Sequence, residues 1–324
     1  MRRRTFFQVG MGVGAAAFLA ACGNNDKPSP TGLPSAVRVG TMAPYIELAV
    51  MQQQHFLEDA LGQGVNTSYQ PLLSMVPMAT AVAGGSIDIG HGNTPVSAIA
   101  AGQKIRIVAT FERNNHGQGF LVRPDGSVKS LADLKGKKIG QPTAAPSVQL
   151  KKVLDKAGLT LDDITILPLE ANVGVAGLTR SAVDVYSAFD PYFTQAIADK
   201  KAVELDLGDA AIRTYIPVWA NADFLAKYPA AVERYLVALE KSIAWIGQNP
   251  DETAQLYAKN NKLDVDLAKR ILGNRDRKLA VPNDEYLGQL EYEADFQLQQ
   301  GLIKKKPDWS VVVDRNLALH ALSG

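Results

Sequence analysis

The sequence predicts an α/β fold arranged as two similar lobes, and three observations carry that expectation. Between residues 36 and 220, short apolar strand candidates alternate with helix-like stretches, the pattern of a mostly parallel sheet covered on both faces. Ser86-Ile87-Asp88-Ile89 precedes Pro95, and Ser181-Ala182-Val183-Asp184-Val185 precedes Pro191, with seven residues from Asp to Pro each time. The same strand, loop and helix start used twice fits two lobes facing each other across a ligand. From Ala222 onward the strand signal gives way to helical periodicity, which reads as a helical tail.

In chain order, Ala36 to Gly40 is the first strand, and Met42-Ala43-Pro44 turns it into a helix over 45–61. A strand over 65–73, a helix over 75–82, a strand over 87–89, a helix over 95–101 and a strand over 105–110 follow. The polar, Gly-bearing stretch Phe111 to Gly119 breaks the alternation. Beyond it come strands at 120–122, 138–140, 164–167 and 183–186, with helices over 147–157 and 192–200. Residues 203–207 and 216–220 are the last strand candidates. Helices near 230–247, 251–260, 265–272 and 284–301 lead to a terminal helix over 314–322. Tyr286, Leu290, Tyr292 and Phe296 follow helical spacing and read as core.

The N-terminus is a targeting segment: Arg2, Arg3 and Arg4 precede an uncharged run from Val9 to Ala21. Arg3-Arg4-Thr5-Phe6-Phe7 resembles the twin-arginine export signal, with the general secretory route as the alternative. Leu19-Ala20-Ala21-Cys22 resembles a bacterial lipobox, in which Cys22 is acylated and becomes the first mature residue. Cys22 is the only cysteine, so no internal disulfide and no catalytic thiol is available elsewhere. The run from Gly23 to Gly32 is rich in Gly, Pro and Asn and reads as a tether. The expected segments are therefore a signal peptide 1–21 and a lipidated tether 22–36. Residues 1–21 hold three of the 34 basic residues and none of the 33 acidic ones, which leaves the mature chain near −2. That balance points away from nucleic acid. No later run reaches the roughly 18 apolar residues a bilayer span needs, so membrane attachment falls to the lipid alone.

The stretch Val82 to Pro95 reads as a strand feeding a ligand loop. Gly90 and Gly92 permit backbone angles other residues avoid, and Asn93 or Thr94 is placed to cap a helix beginning at Pro95. A helix start presents unpaired amides and the positive end of its dipole to a small anion.

Several stretches resemble the solute-binding proteins of ABC importers, specifically the nitrate, sulfonate and taurine class. They are Ala98 to Ala109, Ser130 to Gly140, Ala157-Gly158-Leu159 with Asp162-Asp163-Ile164, Ser187 to Tyr192, and Lys227 to Val232. The resemblance spans roughly residues 37 to 250 and implies a two-lobed periplasmic-binding-protein fold of type II. Lobe 1 would hold 37–112 plus 222–324, and lobe 2 would hold 113–221, with hinge crossings near Glu112 to Gly119 and Tyr215 to Asn221. It also implies an exported monomer that hands a small solute to the permease's transmembrane subunits; with the lipobox, the expected place is the periplasm or the outer face of the cytoplasmic membrane, lipid-anchored at Cys22.

In that class the ligand is met by loops at the carboxyl ends of strands, the rule for open α/β sheets. Carried onto this chain, the ligand-binding positions are Met42, Tyr45, His91, Gly92, Asn93, Thr94, Phe111, Arg113, Thr143, Ser147, Phe189 and Asp190. Arg113 is the candidate counter-charge for a sulfonate or carboxylate, since a guanidinium fork suits paired oxygens. Thr143 and Ser147 could hold an oxyanion at a helix start, although Ala145 and Pro146 depart from the family's usual Ser or Gly followed by a polar residue. Glu112 and Asp190 would favour an amine-bearing ligand such as taurine if they face inward, while an N-cap is the competing role for Asp190. Tyr45, His91, Phe111, Phe189 and Tyr192 could form aromatic walls. The four histidines show no metal-ligand spacing, and no cofactor is expected.

The resulting expectation is a binding subunit for a small organic anion, sulfonate or taurine-like first, aromatic or heterocyclic carboxylate or pyrimidine-type second. The rivals are an enzyme on the same fold, which would need a reactive cysteine, an iron site or a bound cofactor, and a sensor that contacts a membrane receptor.

Overall fold

The computed structural model describes residues 32–322 apart from 115, 144 and 209–213, and excludes the side chains of 112–114 and 214. The export segment, Cys22 and the tether up to Thr31 lie outside the described residues. The strands are β1 (Ala36–Thr41), β2 (Asn66–Pro71), β3 (Ile89–His91), β4 (Ile105–Asn114), β5 (Gln118–Val122), β6 (Lys138–Gln141), β7 (Thr165–Pro168), β8 (Val185–Phe189), β9 (Val203–Glu204), β10 (Thr214–Asn221) and β11 (Arg275–Asp276). Helices α1 (Ile46–Gln53), α2 (Phe56–Leu61), α3 (Met75–Ala83) and α4 (Val96–Ala100) lie between the early strands. Helices α5 (Val148–Ala157), α6 (Ala171–Thr179) and α7 (Tyr192–Ala198) follow β6, β7 and β8. The tail holds α8 (Ala222–Lys227), α9 (Pro229–Gln248), α10 (Pro250–Asn261), α11 (Val265–Gly273), α12 (Asp284–Gln299), α13 (Trp309–Val312) and α14 (Arg315–Leu322).

The strands form two sheets, ordered β2-β1-β3-β10-β4-β11 and β7-β6-β8-β5-β9. Apart from the extra edge strand β11, the two orders are the same. In each sheet the first three strands are parallel, and the fourth position is taken by an antiparallel strand arriving from the other lobe. The two-lobed α/β architecture is therefore two copies of one topology.

Three expectations change. Residues 45–61 form two helices because His55 takes a left-handed backbone at φ 56°, which ends the first of them. Helix α6 was not anticipated; its Gly174 and Gly177 hid it. The expected limits of lobe 2 would assign β10 to the second sheet, yet it hydrogen-bonds to β3 and β4 of the first.

Packing follows the alternation in the strands. Val37 and Val39 are fully buried on one face of β1 beside Leu48, Val218 and Leu236, each such side chain contributing about 1.5 to 3 kcal/mol. The opposite face buries Met78, Ile87, Ile107 and Trp219. In the second sheet Phe120, Ile139 and Val185 pack against α5, and Leu121 and Tyr186 against α6 and α7.

Candidate functional site

The sequence-predicted loops gather at the carboxyl ends of both sheets, but several of their side chains do work within the fold. After β1, the Tyr45 amide donates to the Met42 carbonyl (3.0 Å), closing the turn into α1. Met42 and Tyr45 are half-buried. The Tyr45 ring meets Phe111 edge-on at 6.0 Å, and Phe111 meets His91 edge-on at 4.8 Å. His91 Nε2 is hydrogen-bonded to the Tyr235 hydroxyl. Complete burial pushes the His91 imidazole down to about 3, so it is neutral at ordinary pH. The expected aromatic wall is corrected here: His91 and Phe111 expose no surface, and only Tyr45 of the three is partly exposed.

Gly92 is required where it stands. Its φ is 139°, and a Cβ there would lie 2.0 Å from Met75 Cε, so the Met75 thioether covers this loop. Neither Asn93 nor Thr94 caps the following helix; α4 has Pro95 at its N-cap and spans only five residues. Asn93 is exposed, and the Thr94 hydroxyl bonds the Tyr286 hydroxyl of α12 at 2.6 Å. A helix this short is a weak dipole, so the amide-rich anion site expected here is not what the loop provides.

In the second lobe, buried Gln141 organises the loop before α5. Its Nε2 donates to the carbonyls of Thr143 (2.9 Å) and Ala145 (2.6 Å), and the Thr143 hydroxyl also donates to Ala145 (2.9 Å). Ser147 caps α5, its Oγ accepting from the Leu150 amide (3.2 Å). Phe189 is half-exposed, edge-on to Tyr192 at 6.4 Å.

Asp190 turns out to be a structural cap. Its Oδ1 accepts from the Thr194 amide (3.0 Å) and its Oδ2 from Asn274 Nδ2 (3.2 Å), while burial raises its pKa. Its own amide donates to the Gly117 carbonyl (2.8 Å), and a Cβ on Gly117 would stand 2.2 Å from Asp190 Oδ2. Arg113 pairs through its backbone with Tyr215 and Asp276; its side chain lies outside the described residues.

Residues the sequence did not point to come from the tail. Asn274 bonds both Asp190 and Thr194 (2.9 Å to its hydroxyl), linking the segment after α11 to α7 of the second lobe. Arg275 Nη1 donates to the Pro44 carbonyl (2.7 Å), anchoring the β1 to α1 loop. Beneath it Arg277 and Glu47 form a buried ion pair at 2.6 Å. The only signal was the polar run Asn274-Arg275-Asp276-Arg277-Lys278 between two helices, and nothing local says where such a run docks. Among the described residues no cluster of His, Cys, Asp and Glu is placed to hold a metal ion, and no helix is long and apolar enough to cross a membrane.

Two lobes of one topology, linked by the tail contacts of Asn274 with Asp190 and Thr194, define a two-lobed solute-binding-protein fold. The family model described as NMT1/THI5 like matches residues 63–253, and the chain belongs to that family. A Bacillus subtilis (strain 168) protein bearing the name aliphatic sulfonates-binding protein is 27% identical over 310 residues, covering 94% of this chain and 93% of its own. Among solved structures, the periplasmic aliphatic sulphonate binding protein SsuA from Escherichia coli superposes with a TM-score of 0.81 at 24% identity, covering 87% of this chain and 92% of that one. The alkanesulfonate-binding protein SsuA from Xanthomonas axonopodis pv. citri, bound to MOPS, gives 0.77 at 22% identity, over 87% and 99%.

Proposed function

We propose that this chain is the extracytoplasmic substrate-binding subunit of an ABC importer, lipid-anchored through Cys22, and that it takes a small organic sulfonate between its lobes. The observation that carries the reading is the duplicated topology of the two sheets, joined to relatives named for sulfonate binding over nearly the whole chain. Solute favours the closed arrangement of the lobes by its differential affinity, and the closed form docks on the permease. No chemical step is required. The single cysteine precedes the tether, so no thiol is available for covalent catalysis at the cleft.

The test is a binding screen of the purified chain by thermal shift against sulfonates, nitrate, carboxylates and pyrimidines. Sulfonates should raise the melting temperature, and a response to neutral solutes alone would sink the anion reading. Conversion of a bound sulfonate into a new product would move the protein to the enzyme class. For the anchor, Cys22→Ser should shift the exported protein from the membrane fraction to the soluble one.

A further inference from the structure

Taking as its basis the reading of a sulfonate held between the lobes, we propose that Asn274 is a positioning residue for solute binding. It ties the loop after β8 to a tail segment that also holds the loop after β1, and so keeps the lobes in the arrangement that retains solute.

The segment after α11 meets three parts of the molecule within three residues. Asn274 Nδ2 donates to Asp190 Oδ2 (3.2 Å) and to the Thr194 hydroxyl (2.9 Å), and α11 itself packs on α7. Arg275 Nη1 donates to the Pro44 carbonyl (2.7 Å), while Asn261, at the end of α10, donates to the neighbouring Ala43 carbonyl (3.2 Å). Arg275 and Asp276 pair as β11 with Asn114 and Arg113 of β4, the strand that leads into the second lobe.

The tail side of this junction is firmly seated. The Arg275 guanidinium lies 5.9 Å from the ring centre of fully buried Tyr257, and the Arg277 pair with Glu47 sits beneath it. Gly117, on the crossing from β4 to β5, gives the room: at its φ of 79° any side chain is strained, and a Cβ would crowd Asp190 Oδ2 and stand 3.3 Å from Asn274 Nδ2. Both partners of Asn274 belong to the second lobe, so its bonds last only while the lobes keep this arrangement. One of them goes to a carboxyl oxygen, a stronger acceptor than a neutral one when ionised. Removing them depopulates the arrangement that binds solute, which weakens apparent affinity without touching the solute.

Titration calorimetry and stopped-flow binding of ethanesulfonate and hexanesulfonate to the full chain test the proposal. Asn274→Ala should raise Kd about five- to thirtyfold, through faster release at an unchanged association rate. Exchanging the pair, Asp190→Asn with Asn274→Asp, restores an amide to carboxylate bond with its ends reversed and should recover most of the loss. Thr194→Val removes one partner only; it should shift Kd in the same direction, and it decides the matter if Asn274→Ala does not fold. Spin labels at Asp125→Cys in the second lobe and Lys241→Cys on α9, both exposed positions, in a chain carrying Cys22→Ser, read the lobes without solute. Asn274→Ala should widen their distance distribution. An unchanged Kd, unchanged distances, or an exchanged pair no better than Asn274→Ala would each overturn the proposal. If neither sulfonate binds the parent chain, the sulfonate reading falls instead, and the label distances alone decide the role of Asn274.

Discussion

Asp88 and Asp184 perform the same task in the two lobes. Each exchanges hydrogen bonds with a basic residue in the second strand of its sheet's order, β1 or β6. The Arg38 amide donates to Asp88 (2.7 Å) and the Lys138 amide to Asp184 (3.0 Å), while the Asp amides donate back to the Arg38 and Lys138 carbonyls at 2.9 and 2.8 Å. The correspondence extends to the returning strands. Asn221, at the end of β10, donates to the Val82 carbonyl (2.8 Å); Arg123, just past β5, donates to the Leu178 carbonyl (3.0 Å). The two carboxylates differ in their second partner. Asp88 is gripped by the Arg38 guanidinium at 2.6 Å, whereas Asp184 has the more distant Arg123 at 3.8 Å.

Replacing Asp88 by Ala strips acceptors from the Arg38 amide and guanidinium in a buried setting, and should lower stability by about 2 to 3 kcal/mol. Asp184→Ala, at a more exposed site, should cost about 1 kcal/mol. Urea unfolding of the two variants measures the difference, and equal effects would contradict the unequal roles described here.

The lobes also divide a large and a small residue in opposite ways. In the first, Met78 on the helix packs over Gly90 on the strand; in the second, Tyr186 on the strand packs over Gly174 on the helix. A Cβ on Gly174 would sit 1.8 Å from Tyr186 Cζ. Gly174→Ala should therefore destabilise by about 1 to 3 kcal/mol despite the better helix propensity of Ala, and Tyr186→Leu should recover part of the loss. Thermal unfolding of the single and double variants decides it.

Two desolvated groups, fully buried His91 and partly buried Glu293, give opposite pH slopes. His91, pushed down to about 3, binds its proton less tightly folded than unfolded, so its contribution falls as pH drops below its ordinary 6.5. Burial pushes Glu293 up to about 7, so its contribution falls as pH rises above its ordinary 4.5. Between about pH 4.5 and 6.5 the two slopes, each about 1.4 kcal/mol per unit, oppose each other. Glu293→Gln should raise stability at pH 7 by about 2 kcal/mol and expose the acid-side decline from His91. Denaturant midpoints measured from pH 4.5 to 7.5 would show it; superimposable profiles for variant and parent would refute it.

The Tyr292 hydroxyl of α12 donates to Asp155 of α5 (3.0 Å), joining the tail to the second lobe. Tyr292→Phe removes a surface bond of about 0.5 to 1 kcal/mol from this arrangement of the lobes. Solute affinity, measured by titration calorimetry, should fall about two- to fivefold if this arrangement is the one solute selects. An unchanged affinity would mean that the bond does not bias closure.

The lobes were legible in the sequence because local signals carried them: period-two apolar strands, helix-starting prolines and the repeated Asp-to-Pro spacing at Asp88 and Asp184. The membership of β10 was not legible, since Ile216 to Ala220 announces a strand but not its neighbours, and antiparallel insertion between β3 and β4 is a long-range fact. At the candidate site, strand and turn signals place the loops after β1, β3, β6 and β8, but the orientation of their side chains is not legible in the sequence. His91 between two glycines reads as exposed, and only the fold reveals Tyr235 waiting beneath it. Asn274 and Tyr286 reach their loops from across more than eighty residues of chain, and no spacing rule encodes that.

The central placement of β10 also sets an order of assembly. Strands β5 to β9 are contiguous in the chain, so the second sheet can form as soon as residue 204 has been synthesised. The first sheet cannot: until Thr214–Asn221 arrives, β3 and β4 present two unpaired edges where a central strand belongs. The lobe begun first is thus completed last. Its contacts span the longer loops, whose closure entropy slows folding. A nascent chain stalled before residue 214 would carry a finished half and a half with an open seam, which is the form most exposed to strand exchange with a second copy.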